Sequence, residues 1–275
     1  IFDYNQFNPY FYFSNNQITV SPTLIGENLV KYYRNDSQFD IKLVDSSNNP
    51  AASQNVIFKV NGVSYSRQTN EKGIARLNIN LPPGEYVLTA TDPLTGLNMS
   101  YKITVLPTLI GDNLVKYHMN ASQFDIKLLD SKGAPAASQN VKFNINGMFY
   151  SRQTDADGIA RLNINLPPGE YVLTATDSLT GLNMSYNITV LPVLYADDVV
   201  SNGSSCNYWV KLVDGKGNIL PSKSINFNVG GLILNNVTDE NGEAKIRLNL
   251  MPGQYIVTAQ SLAAKISNNI IILEK

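Results

Sequence analysis

The stretch Gly73-Ile-Ala-Arg-Leu-Asn-Ile-Asn-Leu81 alternates apolar and polar side chains. It recurs at residues 158–166 and, in altered form, at residues 242–250. Apolar side chains two residues apart share one face of a β-strand, so the pattern predicts strands that are buried on one side. Helical spacing of apolar residues is absent. The recurrence predicts tandem all-β domains.

The repeat defines the domain organisation. Residues 22–106 align with residues 107–191 without a gap, and about 67 of the 85 positions are identical. Residues 192–275 form a more diverged third copy that keeps the turn sequences, as in Thr69-Asn-Glu-Lys-Gly73 and Thr238-Asp-Glu-Asn-Gly242. Residues 1–21 match only the end of a repeat, so we expect them to hold the C-terminal strands of an upstream domain.

Each repeat contains enough short alternating segments for a two-layer sandwich. In the first copy we predict seven strands, which is the number typical of immunoglobulin-like domains. They cover residues 29–33, 38–45, 55–60, 63–68, 74–81, 85–91 and 98–106. The predicted fold is three tandem immunoglobulin-like β-sandwich domains, arranged as beads on a string. A transthyretin-like strand order would leave a similar pattern and stays open.

Turn residues separate these strands. Asn61-Gly62, Asn146-Gly147 and Gly230-Gly231 can adopt positive φ at low cost, and they predict two-residue type I′ hairpins.

A tyrosine recurs at the start of the sixth predicted strand, as Tyr86, Tyr171 and Tyr255. This placement predicts a structural tyrosine corner, whose hydroxyl bonds to the main chain upstream. An ordinary half-buried strand tyrosine is the alternative.

Several strings carry a family resemblance. Asn28-Leu-Val-Lys-Tyr-Tyr33, Ser37-Gln-Phe-Asp40, Pro83-Gly-Glu-Tyr86 and Ile103-Thr-Val-Leu106 resemble the immunoglobulin-like repeats of adhesin-like surface proteins of methanogenic archaea. They are more distantly similar to bacterial domains of the invasin and intimin type. The third copy departs from the pattern at Asp40, where it has Trp209, and at Lys31, where the alignment predicts Val199 or Val200. The resemblance implies extracellular display on a repeat array and identifies no ligand.

Composition narrows the function classes. The net charge is −1 and basic residues are not clustered, so we expect no nucleic-acid partner. No apolar run is long enough to span a bilayer, and no signal peptide follows Ile1. We therefore expect a monomeric fragment of an extracellular protein that is attached to the cell surface through other regions.

Catalytic and metal-binding residues are scarce. The chain has one histidine, His118, at the position of Tyr33 in the first copy, and one cysteine, Cys206. Neither has a catalytic partner nearby in sequence. We predict no enzyme activity, no catalytic residue, no cofactor and no metal.

Two devices known from surface proteins are alternatives at particular residues. Calcium at the repeat junctions would use the pairs Glu27-Asn28, Asp112-Asn113 and Asp197-Asp198, which offer few of the six to eight oxygen ligands that calcium takes. An isopeptide bond would join Lys31 to Asn98 beside Asp40, or Lys116 to Asn183 beside Asp125. We expect instead that these lysines are exposed strand residues.

Seven Asn-x-Ser/Thr strings are possible N-glycosylation sites, which we expect in exposed turns. They begin at Asn35, Asn98, Asn120, Asn183, Asn187, Asn202 and Asn236.

Three functions fit this sequence. In the first, the repeats form the extended stalk of a non-enzymatic adhesin-like protein. In the second, they bind a host or microbial surface glycan or protein through exposed aromatic residues. The third is a ligand-binding accessory module of a cell-wall-associated enzyme. The aromatic candidates are Tyr32, Tyr33, Tyr65, Phe149 and Tyr150.

Overall fold

A computed structural model describes residues 21–274, and the upstream strands predicted within residues 1–21 lie outside them except for Ser21. The chain divides into two compact units. Of the described residues, one unit contains 21–31 and 36–106, and the other contains 32–35 and 107–274. No helix that could cross a bilayer occurs among residues 21–274.

The first repeat has eight strands, one more than predicted. They are β1 (Leu24–Gly26), β2 (Leu29–Tyr32), β3 (Gln38–Leu43), β4 (Asn55–Val60), β5 (Val63–Gln68), β6 (Ile74–Asn78), β7 (Gly84–Thr91) and β8 (Asn98–Leu106). Two sheets form, with strand orders β1-β3-β6 and β2-β8-β7-β4-β5. The opening strand is thus divided between the two sheets of an immunoglobulin-like sandwich, which resolves the strand order that the sequence left open.

The second and third repeats have the same two sheets. The second contains β9 (Leu109–Gly111), β10 (Leu114–Tyr117), β11 (Gln123–Leu128), β12 (Asn140–Ile145), β13 (Met148–Gln153), β14 (Ile159–Asn163), β15 (Gly169–Asp177) and β16 (Asn183–Leu191). The third contains β17 (Leu194–Tyr195), β18 (Val199–Asn202), β19 (Ser205–Leu212), β20 (Ser224–Val229), β21 (Leu232–Val237), β22 (Glu243–Asn249), β23 (Gly253–Ser261) and β24 (Ala264–Leu273). Both divided opening strands run parallel to the last strand, β10 along β16 and β18 along β24.

Alternation along the strands builds each core. On β11 every second residue is buried, and Phe124 from this strand meets Phe143 from β12 edge to face, with ring centroids 6.2 Å apart. Tyr186 from β16 packs against Phe124 at 5.2 Å. Aromatic pairs in such geometries stabilise a core beyond the area they bury.

The third repeat rearranges this aromatic cluster. Tyr208 on β19 lies where β11 has Phe124, and its hydroxyl donates to Asn268 Oδ1 at 2.8 Å. Asn268 pairs with Val257 as Tyr186 pairs with Leu173, so it occupies the position of the lost tyrosine. The tyrosine hydroxyl thus belongs to the five-stranded sheet in the second repeat and to the three-stranded sheet in the third. Burial raises the pKa of Tyr208.

The predicted type I′ hairpins are confirmed. Asn61 has φ of 49° and Gly62 has φ of 77°, and the second and third repeats have positive φ at both turn positions. These values match a turn whose twist suits two antiparallel strands.

Candidate functional site

The three recurrent tyrosines bond to the main chain. Tyr86 Oη donates to the carbonyl oxygen of Pro82 at 2.8 Å, and Tyr171 Oη donates to that of Pro167 at 2.8 Å. In the third repeat, Tyr255 Oη donates to the carbonyl of Met251 at 3.0 Å. Each hydroxyl thus reaches the main chain four residues upstream, and the tyrosine-corner role stays a prediction.

The lysines of the divided opening strand are buried, so the expectation of exposed strand lysines is wrong. Lys31 is 6% exposed and Lys116 is 5% exposed. Lys116 Nζ donates to the carbonyl oxygens of Ser122 at 2.9 Å and Ile164 at 2.9 Å, and Lys31 makes the equivalent pair of bonds. Burial lowers the pKa of both ammonium groups. Each lysine ties together main-chain segments from separate parts of its repeat.

This placement contradicts the isopeptide hypothesis. Lys116 lies opposite Val190 on β16, whereas Asn183 is the first residue of that strand, about 23 Å away at about 3.3 Å per residue. Asp125, the suggested acid, is exposed and lies 3.6 Å from Arg161. The first repeat has the same arrangement of Lys31, Asn98 and Asp40.

The third repeat has Ser201 at the lysine position, so the prediction of Val199 or Val200 is wrong. Ser201 is the third residue of its strand, as Lys116 is of β10. Its hydroxyl donates to the carbonyl of Ser205 at 3.2 Å. A short hydroxyl therefore makes a local bond where the other copies use a long ammonium side chain.

The junction pairs suggested for calcium bind main-chain N–H groups. The second residue of each pair accepts one from the last strand of its repeat, as Asn28 from Lys102, Asn113 from Asn187 and Asp198 from Asn269. Hydrogen bonds from Asn269 lower the pKa of Asp198. Within the described part of the chain, no three His, Cys, Asp or Glu side chains are grouped as metal ligands would be. These pairs fasten the divided opening strand to the last strand.

The surroundings of His118 and Cys206 favour structural roles for both residues. The half-buried imidazole of His118 has Nδ1 3.2 Å from the carbonyl oxygen of Leu166. Cys206 is buried in the core of the third repeat, which raises the pKa of its thiol and disfavours the reactive thiolate.

The possible glycosylation sites differ in accessibility. Most lie on strands and not in the exposed turns that we expected: Asn98, Asn183, Asn187, Asn202 and Asn236. Asn35 and Asn120 follow turns and are only half exposed. The amide nitrogen of Asn120 donates to the carbonyl oxygen of Gly215. A glycan at Asn120 would have to replace that bond.

The aromatic residues suggested for adhesion also differ in how much of their surface is free. Tyr33 packs against the core of the second repeat, in the unit that contains residues 32–35. Tyr32 lies against Gly133, where a Cβ would be 2.3 Å from its ring. Tyr150 also contacts the core, whereas Phe149 is 76% exposed. Of this group, Phe149 offers the largest free apolar surface.

The second and third repeats meet in a joint that involves Tyr117. The ring packs against the core of the third repeat, and a Cβ on Gly217 would lie 2.7 Å from it. Gly217 has φ of 83°, so glycine suits this position for both its backbone and its missing side chain. Only two residues separate β16 from β17, which leaves little slack in the connection.

Asn120 completes this joint. Its Nδ2 donates to the carbonyl of Gly215, while its Oδ1 accepts the main-chain N–H of Ser122 at 2.6 Å. A Cβ on Gly215 would lie 3.1 Å from the Cα of Asn120. The same kind of contact occurs where Asn35 Nδ2 donates to the carbonyl of Ser131 at 2.6 Å. The joint thus combines close packing with a directional hydrogen bond.

Sequence reasoning missed a groove of about 810 Å³ on the third repeat. Its lining includes Tyr195, Asp197, Trp209, Lys211 and Glu243. Trp209 is 49% exposed and Tyr195 is 37% exposed. Alternation along β19 could have revealed the site, because Tyr208 and Val210 point inward and place Trp209 on the outer face.

Comparisons with known proteins give structural likenesses alone. No family model matches the sequence, and no curated protein matches it. Among solved structures, invasin, a bacterial integrin-binding protein, aligns with 94% of this chain and 60% of its own, at 18% identity and a TM-score of 0.28. A Ca²⁺-stabilized adhesin from an ice-binding Antarctic bacterium aligns with 93% of this chain and 75% of its own, at 13% identity and a TM-score of 0.23.

The alignments also include proteins that are not adhesins. Salmonella alpha-2-macroglobulin aligns with 91% of this chain and 23% of its own, at 13% identity and a TM-score of 0.34. The chain therefore spans less than two thirds of both invasin and alpha-2-macroglobulin. Likenesses at these identities and scores concern the arrangement of strands and carry no information about ligand or activity.

Proposed function

We propose that this chain is a non-enzymatic segment of an adhesin-like cell-surface protein, in which the immunoglobulin-like repeats act as a stalk. The parent protein is extracellular and is attached to the cell through regions outside this segment. Its partner is a surface glycan or protein of a host or microbial cell. The resemblance of motifs such as Pro83-Gly-Glu-Tyr86 to those of adhesin-like surface repeats supports this assignment.

The observation that carries the proposal is the joint between the second and third repeats. A spacer has to resist bending between its domains, and flexible Gly/Ser linkers do not. Here Tyr117 packs on the next core, Asn120 bonds to the next repeat, and the connection is two residues long. Each of these contacts involves only two adjacent repeats, so the same contacts can recur at every junction of a longer array.

Distances between spin labels test the rigidity of this joint in the full chain. Labels at Lys142→Cys on β12 and Asn235→Cys on β21, with Cys206→Ser, report on the second and third repeats. We expect a narrow distance distribution that broadens in Tyr117→Ala and Asn120→Ala. Asn187→Ala, an exposed change away from the joint, is the matched control and should leave it narrow.

A broad distribution in the unsubstituted chain would reject the stalk. A narrow distribution that survives both joint substitutions would show that Tyr117 and Asn120 are not the source of the stiffness. Surface display is tested separately, by antibody labelling of intact source cells. Labelling that appears only after lysis would contradict it.

A further inference from the structure

We propose that the groove on the third repeat is a binding site for a neutral carbohydrate, in which Trp209 and Tyr195 contact the apolar faces of hexopyranose rings. Its volume of about 810 Å³ falls within the roughly 300–1,000 Å³ typical of small-molecule sites. All the lining residues belong to the third repeat, so sugar binding and the stiffness of the joint are measured by separate experiments.

The two aromatic residues are held on one face of the three-stranded sheet. Tyr195 pairs with Lys211, and Trp209 lies two residues before Lys211 on β19. Diagonal neighbours of this kind lie about 7–8 Å apart, within reach of one another's rings. The electron-rich ring faces attract the weakly positive C–H groups on the flat side of a pyranose.

Polar groups surround this aromatic floor. Asp197 and Glu243 provide acceptors and Lys211 provides donors for sugar hydroxyls. Within the described residues none of these three side chains forms a salt bridge, although Lys211 and Glu243 lie on adjacent strands. Two carboxylates against one ammonium give the lining a slight negative charge. This charge favours neutral sugars over uronic acids.

The ring of Trp209 is fixed by a residue outside the groove. Lys245 Nζ lies 4.7 Å from the ring centroid, and Lys245 does not line the groove. On its other side Tyr195 faces Tyr117, and burial together with the proximity of Tyr117 raises the pKa of Tyr195. Aromatic groups held in place before binding lose less entropy when a ligand arrives.

The second repeat has a smaller groove at the same place, without the two aromatic residues. The corresponding groove has a volume of about 360 Å³ and is lined by Ile110 and Asp125 in place of the tyrosine and the tryptophan. Asp125 is instead engaged with Arg161. The binding surface is therefore a feature of the third repeat and not of the fold as such.

The chain contains a single tryptophan, so its fluorescence reports directly on the site. We would titrate the full chain with cellohexaose, mannohexaose and β-1,4-galactohexaose, with hexagalacturonate as the acidic comparison. A saturable change in Trp209 emission with at least one neutral hexasaccharide, and at least tenfold weaker binding of hexagalacturonate, is expected. No response to any neutral sugar, or a preference for the uronate, would overturn the proposal.

Natural substitutions between the copies provide matched variants. Trp209→Asp and Tyr195→Ile introduce the residues that the second repeat carries, which the fold tolerates there. Calorimetry should show at least a tenfold loss of affinity in each, while Phe149→Ser, at an exposed aromatic elsewhere, should bind normally. Undiminished binding in both groove variants would refute the assignment. So would saturable binding of a peptide, with no sugar binding.

Discussion

Trp209 and Lys245 face each other across β19 and β22, with the ammonium nitrogen 4.7 Å from the ring centroid. The other repeats hold ion pairs at this place, Asp40 with Arg76 at 3.1 Å and Asp125 with Arg161 at 3.6 Å. The third repeat thus has a cation–π contact where the other repeats have a salt bridge. In all three repeats the cation lies on the same strand, β6, β14 or β22. The exchange leaves a large aromatic surface on a sheet face that also carries the exposed charged residues Lys211 and Arg247.

Lys245→Ala should destabilise the third repeat by about 0.5–1 kcal/mol, the size of an exposed cation–π contact. Fluorescence-detected denaturant unfolding measures this change, because Trp209 is the only tryptophan and reports on its own repeat. Lys211→Ala is the control, because this lysine lies on the same face of the sheet and forms no cation–π pair within residues 21–274. An equal loss in both variants would mean that Lys245 acts as a general surface charge.

Tyr86→Phe should destabilise the first repeat by about 1 kcal/mol, because the hydroxyl donates to the main-chain carbonyl of Pro82. A single global free energy is poorly defined for several domains, so hydrogen exchange of peptides from residues 22–106 is the better measurement. Tyr65→Phe serves as control, since among residues 21–274 no hydrogen bond of its hydroxyl is seen. Equal exchange in both variants would remove the corner role.

Lys116→Ala should cost the second repeat about 2 kcal/mol or more. The substitution leaves the carbonyls of Ser122 and Ile164 without their donor and opens a gap in the sandwich. Lys127→Ala, at an exposed position on the neighbouring β11, should cost under about 0.5 kcal/mol. Hydrogen exchange of the segments around Ser122 and Ile164 compares the two, and similar protection would contradict the bridging role.

The stability of the first repeat should fall in acid because of Asp92. Burial acts to raise the pKa of this carboxyl, but hydrogen bonds from Thr23, Thr95 and the N–H of Leu94 outweigh it, and the pKa lies below its ordinary value. A carboxyl with a depressed folded-state pKa stabilises fully above its unfolded pKa of about 3.9. That contribution disappears as the pH falls through the folded value.

Hydrogen exchange of the first repeat between pH 5 and pH 2 measures this loss, after correction for the intrinsic exchange rate. Asp92→Asn should flatten the acid dependence, whereas Asp36→Asn, at an exposed site, should leave it in place. An unchanged acid profile in Asp92→Asn would assign the loss to other carboxyls.

If the chain passes through a glycosylating export route, Asn183 should be modified to a higher occupancy than Asn120. Both belong to the second repeat, but Asn183 is exposed, whereas the amide nitrogen of Asn120 is held by Gly215. Mass spectrometry of glycopeptides from the native protein gives the two occupancies. Equal occupancy would show that the joint opens readily or forms after modification.

Much of the fold was visible in the sequence. Alternation located most strands, and the paired turn residues Asn61 and Gly62 predicted the hairpin geometry. The short strand Leu24–Gly26 was missed, because three residues are too few to show a period. Its role depends on pairing with β3, which is distant in sequence.

The lysines and the groove show two different limits of prediction from the sequence. Lys116 was expected outside because charged side chains are rarely buried, and the carbonyls that receive it come together only after folding. Trp209 needed no such information, since its outward position follows from the strand pattern. What the pattern could not supply is the arrangement of Tyr195 beside it, on a strand two residues long.

The second repeat carries both halves of the joint. One turn holds Tyr117 and Asn120, which reach forward, and another presents Ser131 and Gly133, which receive Tyr32 and Asn35. A copy that carries both contact surfaces can be duplicated without the evolution of a new complementary surface. Unequal crossing-over between near-identical repeat sequences would then add or delete whole copies in phase, which makes the length of the array a trait that evolution can adjust in single steps.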